Sequence, residues 1–155
     1  MAPTRSILVI DDEAEALRSG SLILKAAGLG PIRTTQSGRD VASILATEHV
    51  ALVLLDLWMP IISGEEVLAM LRSDHPDIPV IILSGANDVN TAVSCLKNGA
   101  CDFLLKPIDR DRLVVAVRCA REMDELRQVN QRLGERVLSV SASLPEAYAP
   151  ILTAD

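Results

Sequence analysis

The chain alternates between short apolar runs and longer segments in which apolar residues recur every three or four positions. Short runs with little polar interruption are typical of strands buried on both faces, as in parallel sheets covered by helices. The runs that we predict as strands are Ser6–Ile10, Pro31–Thr35, Ala51–Leu55, Pro79–Leu83 and Cys101–Leu105. The segments with helical spacing are Ala14–Ala27, Gly38–Thr47, Gly64–Arg72 and Asp88–Asn98, and a fifth helix is expected to begin near Asp109.

Five strand–helix units in succession predict an α/β fold with a doubly wound, five-stranded parallel sheet, because parallel neighbours are usually joined by helical crossovers. Gly28 and Gly99 directly follow two of the helical segments, at the position where glycine commonly ends a helix. The carboxylate of Asp109 is placed to cap the fifth helix.

The composition excludes several classes of protein. The 155 residues correspond to about one domain, and 49% of them are hydrophobic, which excludes wholesale disorder. Single-stranded nucleic-acid binders need a basic surface and stacking rings, whereas this chain has a net charge of −6 and 2% aromatic residues. The three cysteines lack metal-ligand spacing, which argues against a zinc site or a disulfide scaffold.

The sequence also lacks the marks of a membrane or exported protein. No run approaches the roughly 18 apolar residues of a membrane span, and the N-terminal segment has the wrong flanks for a signal peptide. We therefore predict a soluble cytoplasmic protein that does not contact a membrane.

Most of the candidate chemistry lies at one edge of the predicted sheet. Asp11 and Asp12 follow the first strand, Asp56 the third, Ser84 the fourth and Lys106 the fifth. Open α/β sheets bind ligands at this carboxyl edge. Three converging carboxylates repel one another and raise at least one pKa unless a cation lies between them, and an all-oxygen site suits Mg²⁺. With a lysine and a hydroxyl beside it, such a metal forms a cradle for a phosphoryl group.

Four sequence strings carry a resemblance to a known family. ILVIDDE, LVLLDLWMP followed by SG, PVIILSG and GACDFLLKP occur in this order between about Arg5 and Arg121. In order and spacing they resemble the receiver domain of bacterial response regulators, which has a flavodoxin-like fold. The resemblance covers about three-quarters of the chain. It implies a phosphoprotein of a two-component signal transduction system.

The resemblance implies that Asp56 is the phosphoryl acceptor, which takes the group from a histidine kinase or phosphotransfer protein. Asp12 would bind Mg²⁺ directly, and Asp11 directly or through water. Asp56 and the backbone carbonyl of Trp58 would complete the protein ligands. Such a domain is not a turnover enzyme, since it catalyses only its own phosphorylation and dephosphorylation.

The resemblance also implies a switch that responds to phosphorylation. Ser84 would hydrogen-bond the phosphoryl group, and Lys106 would pair with it. Phe103 matches the aromatic position that turns inward when Ser84 is drawn toward the phosphate. The bond between Lys106 and Pro107 resembles the cis peptide of the family, a geometry adopted by only about 5–6% of X–Pro bonds.

Two side chains depart from the usual family pattern. Trp58 is large and Ala86 is small and apolar, and both flank the path of a water that attacks the phosphoryl group. Without a polar group to orient this water, hydrolysis is slowed. We therefore predict a long-lived aspartyl phosphate; the alternative is that Trp58 serves only as a lid or a partner contact.

Helical spacing continues past residue 121. A heptad with Leu at d and one Asn at a favours a parallel two-stranded coiled coil, although about three heptads are marginal alone. The alternative is that this helix packs back on its own domain or frays. We predict a receiver at 1–121, a coiled-coil extension of the fifth helix at 122–140 and a linker at 141–155. The predicted dimer contacts are Met123, Leu126, Asn130, Leu133 and Val137.

The last fifteen residues, SASLPEAYAPILTAD, indicate a linker. It resembles the linkers that join receivers to the AAA+ ATPase domain in NtrC-class activators of sigma-54 polymerase. We therefore expect the N-terminal part of a longer transcription regulator, with no direct nucleic-acid binding by this segment. Phosphatase, cyclic-dinucleotide or kinase output domains are the alternatives.

Two other functions fit the fold less well. Haloacid-dehalogenase phosphatases place a general-acid Asp two residues after the nucleophile, whereas this chain has Trp58 there. A flavin or nucleotide binder needs a Gly- or Ser/Thr-rich phosphate loop after the first strand, and DDEAEA would repel a phosphate without a metal. The phospho-accepting receiver remains the favoured function.

Overall fold

The computed structural model describes residues 5–85 and 89–141. Strands and helices alternate along the chain, as the apolar pattern predicts. The strands are β1 (Ser6–Ile10), β2 (Ile32–Thr35), β3 (Val50–Asp56), β4 (Val80–Ser84) and β5 (Asp102–Leu105). The helices are α1 (Ala14–Ala26), α2 (Val41–Thr47), α3 (Gly64–Asp74), α4 (Val89–Lys97) and α5 (Arg110–Ser141), and a 3₁₀ turn at Gly38–Asp40 precedes α2.

The five strands form one parallel sheet in the order β2-β1-β3-β4-β5. This is the doubly wound topology that the sequence predicts, and that prediction is confirmed. The strand order reverses between β1 and β3, where open α/β sheets form a crevice for ligands. The carboxyl ends of these two strands carry Asp11 and Asp56.

Two apolar clusters lie on opposite faces of the sheet. Successive strand side chains alternate between faces, so Leu8 and Leu55 belong to one cluster and Val9 and Leu54 to the other. This is the physical reason for the uninterrupted apolar runs, since both faces of the central strands are covered. Full burial of a Leu or Ile side chain contributes about 1.5–3 kcal/mol each.

The element boundaries differ from the prediction where polar residues end a strand. β3 and β4 each extend to their functional residue, so that Asp56 and Ser84 are the last strand residues rather than the first loop residues. The structure also replaces the start of the predicted second helix with the 3₁₀ turn, where the Ser37 side chain accepts a hydrogen bond from the Arg39 N–H at 3.2 Å.

The predicted helix boundaries at Gly28, Gly99 and Asp109 have clear structural causes. Gly28 has φ +79° and Gly99 has φ +109°, the left-handed conformation in which glycine ends a helix. The Asp109 carboxylate accepts a hydrogen bond from the Arg112 N–H at 3.0 Å, at the start of α5.

The chain divides into two compact units, Met1–Arg121 and Glu122–Asp155. Most of the predicted linker, residues 142–155, lies outside the described residues, so the division into receiver, coil and linker stays a prediction. Among the helices of the described ranges, none is both long and apolar enough to cross a membrane.

Candidate functional site

Three carboxylates converge at the carboxyl edge of the sheet. Asp56 ends β3 and is 4% exposed, Asp11 directly follows β1 and is 1% exposed, and Asp12 is half-buried. One oxygen from each carboxylate can be chosen so that all three lie within 4.8 Å of one another. β1 and β3 are paired neighbours in the sheet, which explains why residues 45 positions apart in sequence meet here.

Lys106 connects two of these carboxylates from the end of β5. Its Nζ lies 3.1 Å from Asp11 Oδ2 and 3.2 Å from Asp56 Oδ1. The Lys106 backbone N–H donates to the Ser84 carbonyl at 2.7 Å, which ties the lysine to the end of β4. The peptide bond between Lys106 and Pro107 is cis in the structure.

The electrostatics of the site are dominated by burial and like charge. Burial, followed by the charge of Asp11, raises the pKa of Asp56 to about 6, against the opposing effect of Lys106 and a hydrogen bond from the Trp58 backbone N–H. Burial lowers the pKa of Lys106, but the Asp56 charge and the contacts with Asp11 outweigh it, so the pKa is raised overall. One lysine thus faces an excess of buried carboxylate charge.

This donor set fits a magnesium ion. Mg²⁺ prefers oxygen ligands and is commonly held by one or two carboxylates while it keeps several waters. A divalent cation among these carboxylates would relieve the repulsion between Asp11 and Asp56, which adds to the effect of burial in raising the pKa of Asp56. The Glu13 backbone N–H donates to Asp11 Oδ1 at 3.0 Å, which fixes the orientation of that carboxylate.

Ser84 and Phe103, the predicted switch residues, lie on the adjacent strands β4 and β5. Ser84 is fully buried, and its hydroxyl donates to the Gly85 carbonyl at 3.1 Å. Contact with a phosphoryl group therefore requires this hydroxyl to change its acceptor. Phe103 is half-buried and packs against the apolar cluster that contains Leu8, so part of its side chain is already covered in the absence of a phosphoryl group.

The loop after Asp56 exposes two large apolar side chains. Trp58 is 67% exposed and Ile61 is 74% exposed. Ile61 also has φ +73°, a left-handed conformation that is strained for a β-branched residue. Sequence reasoning missed this strain. Ala86, the other residue behind the predicted slow hydrolysis, lies outside the described residues, so the long phosphoryl lifetime stays a prediction.

The predicted coiled-coil residues are exposed where the structure describes their side chains. Met123, Leu126, Asn130 and Leu133 are solvent-exposed residues of α5. The side chain of Val137 lies outside the described residues. A row of exposed apolar residues at heptad spacing is expected for a helix that pairs with another helix.

Comparison with known proteins places the chain in a family. Residues 7–118 match the family described as the response regulator receiver domain. The nitrogen assimilation regulatory protein NtrX of Azorhizobium caulinodans is 34% identical over 134 residues, which cover 81% of this chain and 29% of that protein. The C4-dicarboxylate transport transcriptional regulatory protein DctD of Rhizobium meliloti is 29% identical over 145 residues, covering 94% of this chain and 31% of the relative.

A solved structure supports the same assignment. The receiver domain of NtrX from Brucella abortus superposes with a TM-score of 0.70 at 34% identity, covering 75% of this chain and 98% of that one. The chain belongs to the response regulator receiver family, and the resemblance inferred from its motifs is confirmed. It spans about three tenths of the length of the curated relatives that it matches.

Proposed function

We propose that Asp56 accepts a phosphoryl group from a phosphohistidine of a histidine kinase or phosphotransfer protein. The observation that carries this proposal is the placement of the Asp56 carboxylate. It is buried at the end of β3, 3.2 Å from Lys106 Nζ, and belongs to a cluster of three carboxylates. A nucleophile, a cation and a metal-binding donor set together make up a phosphoryl-transfer site.

Mg²⁺ would be held by Asp11, Asp12, Asp56 and the backbone carbonyl of Trp58. When bound, the ion neutralises carboxylate charge and polarises a phosphoryl oxygen. In the structure without metal, Asp11 and Lys106 are in contact at 3.1 Å, which holds the lysine beside Asp56.

The transfer converts the Asp56 carboxylate to an acyl phosphate. A carboxylate oxygen forms the new O–P bond, the N–P bond of the donor breaks, and the donor imidazole leaves with the electron pair. Lys106 pairs with a phosphoryl oxygen, and Ser84 exchanges the Gly85 carbonyl for another phosphoryl oxygen. Phe103 then follows Ser84 inward. The domain does not turn over an external substrate, and Trp58 occupies the position where phosphatases of similar fold place their general acid.

Incubation with acetyl phosphate and Mg²⁺, followed by intact-mass spectrometry, tests this proposal. The wild-type protein gains one phosphoryl group, whereas Asp56→Asn gains none. Asp74→Asn, at an exposed position near the end of α3, is the matched control and is phosphorylated normally. Phosphorylation of the Asp56→Asn variant at the wild-type rate would contradict the acceptor assignment.

The remaining function follows from the tail of the chain and from the relatives. We propose that helix 122–140 pairs with a second copy as a parallel coiled coil, and that phosphorylation changes the state of this dimer. The dimer would control a transcription-regulating output domain beyond a linker at 141–155, in the cytoplasm. The exposed apolar row at Met123, Leu126 and Leu133 supports the pairing. Relatives about three times as long support a further domain.

A further inference from the structure

Gly64, the first residue of α3, lies directly against the backbone of the acceptor. A methyl group placed on its Cα would lie 2.5 Å from the Asp56 carbonyl oxygen and 2.6 Å from the Leu57 Cα. Contacts this short are not tolerated, and both neighbours are backbone atoms, which cannot rotate away as a side chain does. Any side chain at position 64 therefore displaces either the first turn of α3 or the acceptor backbone.

Space, rather than backbone conformation, is the reason for glycine at this position. The described glycines with positive φ are Gly28, Gly30 and Gly99, and Gly64 is not among them. Ser63 caps the helix, since its side chain accepts from the Glu66 N–H at 3.2 Å. Alanine is the better helix former. The glycine therefore serves the close approach to Asp56 and not the helix.

The peptide that follows the acceptor is held from two sides. The Leu57 N–H donates to the Leu83 carbonyl at 3.2 Å, at the residue directly before Ser84. The Leu57 carbonyl accepts from the Gly64 N–H at 3.0 Å. The acceptor backbone is thus fixed between β4 and α3.

The loop that joins Leu57 to Gly64 is itself tightly turned. The Ile62 N–H donates to the Pro60 carbonyl at 2.8 Å, and Ile61 between them has φ +73°. Together these define a γ-turn of the rarer, strained type. Strain of this kind persists only where the surrounding structure fixes the conformation, and it concentrates at functional sites. The loop therefore holds α3 at a fixed distance from the acceptor.

We propose that Gly64 is a positioning residue for phosphoryl acceptance. By admitting the first turn of α3 against the Asp56–Leu57 peptide, it fixes the aim of the Asp56 carboxylate, which lies 3.2 Å from Lys106 Nζ. This inference rests on the proposed role of Asp56 as acceptor. A displacement of the nucleophile by about 1 Å slows a reaction by about 100-fold, so a single methyl group at position 64 has a large effect on the chemical step.

The test compares Gly64→Ala with wild type, with acetyl phosphate as donor and Mg²⁺ as the metal. The initial rate of phosphorylation is measured by intact mass over a range of donor concentrations. We expect the maximal rate of Gly64→Ala to fall by about 10- to 100-fold, while the half-saturating donor concentration stays close to that of wild type. Mg²⁺ affinity is read from the fluorescence of Trp58, the single tryptophan. The rates are compared at saturating Mg²⁺, because Asp56 and the Trp58 carbonyl are among the proposed ligands.

Gly20→Ala is the matched control for this substitution. Gly20 lies within α1, and a methyl group there meets nothing within 4 Å. This variant adds the same atom to a helix and is expected to accept phosphoryl groups at the wild-type rate. A general effect of adding a helical alanine would slow both variants.

A purely structural role would lower the melting temperature of Gly64→Ala and leave its maximal rate unchanged, and that result overturns the inference. Where Gly64→Ala does not fold, Ser63→Ala removes the cap of α3 without adding an atom beside Asp56. Because the inference has the first turn of α3 fix the aim of Asp56, loss of the cap on that turn is expected to lower the maximal rate by a few-fold. An unchanged rate with intact secondary structure overturns the inference as well. If the wild-type protein itself does not accept a phosphoryl group at Asp56, that result contradicts the proposed function and not only the role of Gly64.

Discussion

The carboxyl edge of the sheet and the helix beyond Arg121 place side chains in opposite kinds of unfavourable environment. At the sheet edge, the charged carboxylate of Asp56 is 4% exposed, whereas in the helix the apolar Leu126 is 63% exposed. Burial of charge and exposure of apolar area both cost free energy. The proposed binding would relieve each cost, in one case through a cation and a phosphoryl group and in the other through a second helix. The comparison therefore indicates that the carboxyl edge of the sheet and the exposed apolar row of α5 are the two places where binding partners are expected.

The largest expected effect concerns Lys106, which offsets the buried carboxylate charge. Lys106→Met leaves Asp11 and Asp56 without their shared cation, so we expect phosphorylation by acetyl phosphate to slow by about 100-fold. The free energy of unfolding without metal falls by about 2 kcal/mol, less than for a fully buried pair because the lysine is partly exposed. Lys97→Met, at the exposed end of α4, is the control. Equal rates for the two variants would show that Lys106 does not act on the acceptor.

The second prediction concerns the pH dependence of stability. Burial and the Asp11 charge raise the pKa of Asp56 to about 6, so the folded state binds this proton more tightly than the unfolded chain does. The metal-free protein therefore loses stability as the pH rises from about 4 to about 6. Asp56→Asn avoids that loss and is expected to be about 2 kcal/mol more stable than wild type at a pH of about 7.5.

Denaturant unfolding in the presence of a chelator measures this difference at two pH values. Below a pH of about 4, Asp56 is protonated in both states and the advantage of the Asn variant should disappear. Addition of Mg²⁺ at neutral pH should reduce the difference in the free energy of unfolding between Asp56→Asn and wild type, because it stabilises the wild-type protein. A gap of the same size at both pH values would mean that the ionisation of Asp56 is not its cause.

The third prediction concerns the part of α5 beyond Arg121. Leu126→Ala removes apolar area from a d position and is expected to weaken the dimer by about 10-fold, equivalent to about 1.4 kcal/mol. Phosphorylation at Asp56 should be unaffected. Val129→Ala is the control, because Val129 is also exposed but lies off the a and d positions. Sedimentation reports the association state with and without Mg²⁺ and beryllofluoride, which stands in for the phosphoryl group on the aspartate. A wild-type protein that is monomeric under all conditions would rule out the coiled coil.

The smallest expected effect concerns Ile61, at φ +73°. Ile61→Gly relieves the left-handed strain of a β-branched residue, which costs about 1–2 kcal/mol, but it increases the entropy of the unfolded chain. We expect a net gain of up to about 1 kcal/mol in the free energy of unfolding. Ile61→Val keeps the strain and should show no gain. Loss of stability in Ile61→Gly would mean that the apolar contacts of Ile61 outweigh its strain.

The sequence was sufficient to predict which residues meet at the carboxyl edge of the sheet. Continuous apolar runs indicate strands covered on both faces, and parallel strands bring their carboxyl ends together, so Asp11, Asp56 and Lys106 could be assigned to one edge. The bridging position of Lys106 between two carboxylates could not be predicted, because it depends on side-chain distances across three strands.

Two backbone features near Asp56 could not be predicted from the sequence either. Residue preferences argue against a left-handed isoleucine, so only the structure reveals the turn at Ile61. Gly64 could be recognised as part of a motif, but its contact with the Asp56 carbonyl depends on how α3 packs on the end of β3. Tertiary packing determines both features, and local sequence patterns carry little information about it.

Chemical mapping of the phosphorylated residue tests the central claim most directly. Borohydride reduces an aspartyl phosphate to homoserine, and peptide mass spectrometry then identifies the position. After treatment with acetyl phosphate, we predict homoserine at position 56 in the presence of Mg²⁺ and none after chelation. A phosphoryl group that maps to another residue, or labelling at position 56 that does not depend on the metal, would contradict this account.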